Sequence, residues 1–164
     1  MKKSFFQTTG MVFFSLVLTF SVWATDFTGK VVKVADGDTV TVLDRNKVQH
    51  RIRLTGIDAP ERRQAFGSRS KQSLSELVFS KTVTVRTNKR DRYGRVLGKL
   101  IINGMDVNKE QIRRGMAWHG YLRDQTAADR ITYADIEKNA RKEQRGLWKD
   151  PSPIPPWKWR KLRK

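Results

Sequence analysis

Three short runs that contain strand-favouring residues follow one another early in the chain, with turn residues between them. Phe27–Val34 and Thr39–Leu43 flank Asp36-Gly37-Asp38, and Asp-Gly between two such runs is a strong hairpin signal. Residues 44–47 form a second turn, and a third run extends over residues 48–54. This order predicts an antiparallel meander, which restricts this part of the chain to a small sheet or barrel.

Beyond residue 61 the apolar residues change to a helical spacing and later return to alternation. We predict helices at about 67–79, from Asp106 to Arg114 and from Asp129 to Gln144. Two more strands are predicted at 82–86 and 96–102, between the first two helices. Five strands with helices after the third and fifth predict an α+β fold, a five-stranded OB-type β-barrel with about three α-helices.

The chain carries a large excess of positive charge. Its 34 Lys and Arg residues outnumber 16 Asp and Glu residues, which gives a formal net charge of +18 over 164 residues. Such an excess favours polyanions, with nucleic acid first and anionic membrane or cell-wall polymer second. Charge alone does not separate an enzyme from a binding protein.

The two ends of the chain differ in composition from the part between them. Residues 1–24 combine a short basic start, an apolar run and Val22-Trp23-Ala24, a pattern that predicts a Sec-type signal peptide cleaved after Ala24. We therefore expect a bacterial periplasmic or secreted protein without a stable membrane span. The chain has no cysteine, so no disulfide stabilises it. A folded domain is predicted at 25–149, followed by a proline-rich basic tail at 150–164 that is extended and lies outside the domain.

Residues 51–61, RIRLTGIDAPE, contain the residue types that a hydrolytic site for an anionic ester needs. Pro60 restricts the backbone between the carboxylates of Asp58 and Glu61, so the turn can hold both side chains in defined directions. Arg53 can donate two hydrogen bonds to a phosphate. Glu61 can act as a general base on water or hold it by hydrogen bonding, although an acid at a helix start is also favoured by the helix dipole.

Another carboxylate, Asp38, lies in the first hairpin turn, and pairing of the second and third strands would bring it near Asp58. Two carboxylates with a backbone carbonyl and water suit a hard cation such as calcium, but on spacing alone two ordinary turn aspartates are the favoured interpretation. Arg95 is a further candidate for binding phosphate, and Tyr93 and Tyr121 are candidates for stacking on bases. In a chain this basic, any one arginine is more often solvated, and most tyrosines belong to the core or its rim.

Several blocks of sequence add weight to these candidates when they are taken together. They occur in one order over about residues 27–148: DGDTV at 36–40, RLTGIDAPE at 53–61, DRYGR at 91–95, VNKEQIRRGMA at 107–117 and RGLW at 145–148. In order and spacing they resemble the staphylococcal nuclease (thermonuclease) family. The resemblance implies an OB-fold, calcium-dependent endonuclease that cuts DNA and RNA with little sequence preference and leaves 3′-phosphates. We expect a monomer.

The resemblance also assigns a metal site by position. Asp38 and Asp58 match the metal carboxylates, Ala59 matches the residue whose backbone carbonyl binds the metal, and Asp36 matches an acid close to it. The family's archetype has threonine at the position of Ala59, but the ligand there is a main-chain oxygen, so alanine should serve.

The catalytic residues follow in the same way. Arg53 would bind the scissile phosphate and stabilise its developing charge, Arg95 would do so on the leaving-group side, and Glu61 would activate or place the water. The positions that contact the terminal phosphate and nucleotide are Arg92, Tyr93 and Tyr121. Arg123 stands where the archetype has a second tyrosine, which implies weaker stacking, stronger attraction to phosphate and an open base preference.

Two other functions compete with this interpretation. A catalytically silent OB-fold protein that binds nucleic acid would need the basic surface but not the full set of arginines and carboxylates. A cationic envelope protein that uses the tail at 150–164 on lipid or polymer would explain charge and export, yet it leaves the carboxylates unused. The sequence leaves open the biological role, the preference between DNA and RNA, and the function of the tail.

Overall fold

In the computed structural model, which describes residues 26–162, five strands close into a barrel and four helices flank it. Counting three short strands outside the barrel, the described residues form eight strands: β1 (Phe27–Val34), β2 (Thr39–Asp44), β3 (Gln49–Leu54), β4 (Ile57–Asp58), β5 (Thr82–Arg90), β6 (Val96–Ile102), β7 (Met105–Asp106) and β8 (Trp118–His119). The helices are α1 (Gly67–Val78), α2 (Val107–Arg113), α3 (Ala127–Lys142) and α4 (Pro156–Leu162). The predicted α+β barrel of OB type is confirmed, while the predicted signal peptide lies outside the described residues.

The barrel is formed by β1, β2, β3, β5 and β6. Antiparallel pairs join β1 to β2 and to β5, β2 to β3, and β5 to β6. The parallel pair β3–β6 closes it, with Ile52 opposite Val96 and Leu54 opposite Gly98. Alternation along the strands places apolar side chains inside, so that Val31, Val40, Ile52, Val85 and Leu100 are fully buried.

The first three helices correspond to the three predicted ones. Asp106 caps α2 as expected, because its side chain accepts a hydrogen bond from the amide of Lys109. α3 begins at Ala127, two residues earlier than predicted, because Thr126 caps it by accepting from the amide of Asp129. Within residues 26–162, none of the helices is long and apolar enough to cross a membrane.

The strand β5 is longer than the alternation at 82–86 indicates. It runs to Arg90 because pairing with β6 continues to Arg90 opposite Val96, past a shift of register between Thr87 and Lys89. The charged loop before β6 covers residues 91–95 and is correspondingly shorter than the gap between the two predicted strands. This pairing carries the loop to the same rim of the barrel as the end of β3.

The C-terminal segment does not follow the prediction of an extended tail. Pro156 is buried and is the first residue of α4, a position that tolerates proline because the first helical amide has no partner within the helix. The ring of Trp157 packs edge-on against Trp118 at 5.5 Å between centroids, and Gln64 donates a hydrogen bond to the carbonyl of Ile154. The prediction of an extended tail outside the domain is therefore wrong for 156–162, while the boundary at residue 149 stays a prediction.

Candidate active site

One cavity of about 680 Å³ lies at the barrel rim where β2 begins and β3 ends, beside the loop that precedes β6. Each residue singled out by sequence lines it: Asp36, Asp38, Arg53, Asp58, Ala59, Glu61, Arg92, Tyr93, Arg95 and Tyr121. The structure therefore brings the whole predicted set together. The individual roles of these residues stay predictions.

Arg53 occupies the centre of this arrangement. It is the penultimate residue of β3, and its guanidinium is held by the carbonyls of Leu54 and Ile57, each 3.0 Å from Nη1. Its Nη2 lies 3.2 Å from both Asp38 Oδ2 and Asp58 Oδ1. Although burial disfavours the charged form, the two carboxylates raise the pKa of Arg53 above its ordinary value, so the side chain stays cationic.

A bend between β3 and β4 makes this contact possible. Gly56 has φ +76°, a conformation that favours glycine, and it turns the chain so that Asp58 returns towards Arg53. β4 then pairs with β8, which places Asp58 opposite Trp118. The local sequence thus positions one carboxylate, and long-range strand pairing fixes it.

The turn that carries Asp38 is packed tightly against two helices. Asp38 Oδ2 accepts a hydrogen bond of 2.7 Å from the amide of Ala59, which ties the two halves of the site together. A Cβ on Gly37 would lie 1.8 Å from Ser70 Oγ in α1, so only glycine fits. Gln111 in α2 donates to the carbonyl of Gly37 at 2.9 Å. The carboxylate is therefore held in place by the barrel and by both helices.

The acids at this rim are crowded. Burial, assisted by the neighbouring charge of Asp38, raises the pKa of Asp36 to about 6. Burial also raises the pKa of Asp58, against the opposing effects of Arg160 and Arg53. Carboxylates that are buried together favour a bound cation, because a positive charge offsets both their desolvation and their mutual repulsion.

The residues present fit a hard cation such as calcium. Within residues 26–162, no group of three or more His, Asp or Glu side chains converges as a ready metal cluster. A cation here would therefore take the carboxylates of Asp38 and Asp58, with the carbonyl of Ala59 and water completing an all-oxygen set of the kind that calcium prefers.

Glu61 and Arg95 line the same cavity, although they lie in different segments of the chain. The amide of Glu61 donates to Gln64 Oε1 at 3.1 Å, while the side chain of Glu61 is 42% exposed. Arg95 precedes β6, and its Nε donates to Asp91 Oδ2 at 2.7 Å. Asp91 also accepts from the amide of Arg95, so this loop acid orients the arginine, a role that sequence reasoning missed although DRYGR contains it.

Two tyrosines lie at the mouth of the cavity. Tyr93 is 68% exposed, and its hydroxyl accepts a hydrogen bond of 2.8 Å from Arg92. The ring of Tyr121 lies 5.1 Å from the guanidinium carbon of Arg53 and is half exposed. Both rings are accessible to a stacking partner, and Arg123 lines the same cavity.

One residue that lines the cavity, Arg160, matches none of the sequence patterns from which the other site residues were predicted. Arg160 in α4 donates to Asp58 Oδ2 and Glu61 Oε1, each at 2.8 Å, and to the hydroxyl of Tyr121 at 3.1 Å. It lies 99 residues beyond Glu61 in the chain. Only the docking of α4 against Trp118 brings it into the cavity.

Comparison with known proteins agrees with the chemistry of this cavity. Residues 51–150 match the family described as Staphylococcal nuclease homologue. The chain is 43% identical over 145 residues, 88% of its length and 92% of the relative's, to an Escherichia coli protein named "Uncharacterized endonuclease". It is 42% identical over 159 residues, 91% of its length and 88% of the relative's, to "Micrococcal nuclease" of Shigella flexneri.

A plant relative matches a shorter part. "Staphylococcal-like nuclease CAN1" of Arabidopsis thaliana is 38% identical over 111 residues, which cover 68% of this chain and 33% of that protein. Together with the fold and the cavity, these matches define an endonuclease that hydrolyses phosphodiester bonds. The chain belongs to the staphylococcal nuclease family, which confirms the resemblance seen in its sequence.

Proposed function

We propose that the protein is an exported, calcium-dependent endonuclease that hydrolyses DNA and RNA with little sequence preference and leaves 3′-phosphates. The observation that supports this most is the position of Arg53, whose guanidinium lies 3.2 Å from both Asp38 and Asp58 in a cavity that also contains Glu61 and Arg95. The proposal thus assigns to one cavity the arginines for phosphate, a carboxylate pair for a metal ion and a carboxylate for water.

Arg53 binds the scissile phosphate in this proposal. Its guanidinium is fixed by two carbonyls and two carboxylates before substrate arrives, so little reorganisation is needed when charge develops on the phosphate. Arg95 stands just before β6, the strand that pairs with β3, and offers a second guanidinium on the leaving-group side. Both arginines stabilise the transition state more than the ground state.

Glu61 acts on the attacking water. Its carboxylate is partly exposed and projects into the cavity, where it can accept a proton or hold the water by a hydrogen bond. Pro60 and the hydrogen bond from the amide of Glu61 to Gln64 restrict the backbone at this point. The carboxylate is thereby aimed from a rigid turn.

Asp38, Asp58 and the carbonyl of Ala59 would hold calcium. When bound, the ion supplies positive charge that stabilises the phosphate as it becomes more negative. The proposal for calcium is supported by the all-oxygen donors and by the burial that raises the pKa of Asp58.

Broad substrate range follows from the kind of contacts available. The net charge of +18 favours the backbone of any nucleic acid, and phosphate contacts carry no direct sequence information. Tyr93 and Tyr121 present rings at the cavity mouth, and stacking tolerates every base. Export to the periplasm or medium is supported by the signal-like pattern of residues 1–24.

The experiment is digestion of plasmid DNA, single-stranded DNA and RNA by the purified protein, with calcium or with an excess of chelator. We expect all three to be cut only with calcium, into products whose 3′ ends need a phosphatase before a polymerase can extend them. Equal cutting in chelator would contradict calcium dependence. Binding of DNA without cleavage under any divalent ion would favour the catalytically silent alternative.

A further inference from the structure

We propose that α4 carries an internal cation that competes with calcium: Arg160 pairs with Asp58 and Glu61, and calcium must displace it in order to bind. The inference rests on the proposed calcium dependence and goes beyond it, since it makes the C-terminal segment a determinant of how tightly the metal is held.

The contacts of Arg160 are made with the predicted metal ligand and the predicted base at once. Nη2 lies 2.8 Å from Asp58 Oδ2 and Nη1 lies 3.2 Å from Asp58 Oδ1, which is a two-pronged pair with one carboxylate. Nη1 also lies 2.8 Å from Glu61 Oε1. A bidentate, charge-assisted pair of this kind is among the stronger polar contacts in proteins, and it occupies both oxygens of Asp58.

Asp58 therefore contacts two arginines, and they differ in how easily they can leave. The side chain of Arg53 is 10% exposed, and two backbone carbonyls hold it within the barrel rim. The side chain of Arg160 is 38% exposed and belongs to a helix of only seven residues. A divalent ion on Asp58 repels both guanidinium groups, and Arg160 is the one that can move into solvent.

The start of α4 is anchored independently of Arg160. Pro156 is buried, Trp157 packs on Trp118, and Gln64 donates to the carbonyl of Ile154. Trp118 is the residue opposite Asp58 in the β4–β8 pair, so the anchor brings the helix to this carboxylate. Release of Arg160 thus involves the last turn of α4, while the anchored start keeps the arginine close for rebinding.

A bound arginine lowers the apparent affinity for calcium without touching the ion. The fraction of molecules in which Asp58 is free sets the apparent dissociation constant, so removal of the competitor strengthens binding. A purely structural salt bridge predicts the opposite, because its loss would loosen the site and weaken calcium binding. The sign of the effect therefore separates the two roles.

The test is calcium binding by isothermal titration calorimetry to Arg160→Gln, with Lys161→Gln as the matched control. Both variants lose one positive charge from α4, but Lys161 is exposed and lies outside the cavity lining. We expect Arg160→Gln to bind calcium roughly tenfold more tightly than wild type, and Lys161→Gln to stay within about twofold. Hydrogen exchange of the last turn of α4 should become faster in wild type on adding calcium and should already be fast in Arg160→Gln.

Each outcome of these titrations either supports or overturns the inference. Tighter binding in Arg160→Gln alone supports the inference, and the conservative Arg160→Lys, which keeps charge but loses the fork, should then fall between that variant and wild type. If Arg160→Gln does not fold, Arg160→Lys carries the same test, and its failure to bind calcium more tightly than wild type overturns the inference. If wild type binds calcium and Arg160→Gln binds it equally well or more weakly, this inference alone is overturned. If wild type binds no calcium, the proposed function is overturned as well.

Discussion

Arg53 Nη2 lies 3.2 Å from Asp58 Oδ1, across a bend that the chain completes within five residues. Both side chains are almost entirely buried, at 10% and 2% exposure. Removing either partner leaves the other charge in a place where water cannot replace the lost contact. The ion pair therefore fixes together the orientation of Arg53, the proposed phosphate-binding group, and of Asp58, the proposed metal-binding carboxylate.

Arg53→Lys should reduce turnover by roughly 10²–10³-fold while leaving DNA affinity nearly unchanged. Lysine keeps the positive charge but cannot reproduce the planar fork that reaches both carbonyls and both carboxylates. Cleavage rate and DNA affinity, measured side by side in calcium at fixed salt, check this. Arg45→Lys, at an exposed turn, is the control. Wild-type turnover in Arg53→Lys would remove this residue from the catalytic set.

Glu61→Gln should reduce turnover by about 10²–10⁴-fold, because glutamine keeps the shape and hydrogen bonding but cannot take a proton. DNA binding should persist, since the substitution removes no cation. The measurement is single-turnover cleavage at saturating enzyme. Glu76→Gln, on the exposed side of α1, should cut at the wild-type rate. A Glu61→Gln variant that keeps full activity would limit Glu61 to positioning water through its hydrogen bonds.

Gly37→Ala should lower the free energy of unfolding by about 1–3 kcal/mol and weaken calcium binding. The added Cβ would lie 1.8 Å from Ser70 Oγ and 2.8 Å from the Cβ of Ala59, so the turn that carries Asp38 must shift. Denaturant unfolding and calcium titration measure the two effects. Gly120→Ala, whose Cβ would meet nothing closer than 3.9 Å, is the control and should unfold as wild type does. Full stability of Gly37→Ala would show that α1 can move aside.

Glu110→Gln should destabilise the protein by about 1 kcal/mol at neutral pH and by nothing at strongly acidic pH. Hydrogen bonding from Arg113 holds the pKa of Glu110 below its usual 4.5 despite the opposing effect of burial, and Arg114 adds to the lowering. A carboxyl whose pKa is lowered by folding contributes stability above its unfolded pKa, and that contribution is lost as the pH falls through the folded value.

Urea unfolding from neutral to strongly acidic pH measures how the free energy of unfolding depends on Glu110. The wild-type and Glu110→Gln curves should converge below the folded pKa, whereas Asp135→Asn, at an exposed position of α3, should follow wild type throughout. A constant offset between wild type and Glu110→Gln at every pH would mean that packing, and not charge, holds this residue.

The barrel was predictable because its signals are local. Alternation and turn residues predicted the observed bounds of β1 and β6, and the Asp-Gly turn predicted the β1–β2 hairpin. Asp38 and Asp58 lie where the predicted pairing of β2 with β3 would bring them, because that pairing sets Thr39 opposite Arg53. Each of these features depends on a few neighbouring residues, which a single sequence displays.

The docking of α4 was not predictable by the same means. Prolines at 151, 153, 155 and 156 indicate an extended chain, but Pro156 is compatible with a helix start, and the packing of Trp157 on Trp118 stabilises the helix there. That contact joins residues far apart in sequence. The place of Arg160 beside Asp58 depends on it, so no spacing within the tail indicated a role in the site.

The parallel pairing of β3 with β6 has a consequence for when the enzyme becomes able to act. Arg53 lies in β3 opposite Leu97, and Arg95 stands just before β6, so the two arginines proposed to bind phosphate come to one cavity only when this seam forms. Parallel contacts between distant segments carry a high entropic cost and tend to form late in folding. A newly made chain, surrounded by the nucleic acids of the cell that synthesises it, therefore has no assembled catalytic centre until its barrel is shut.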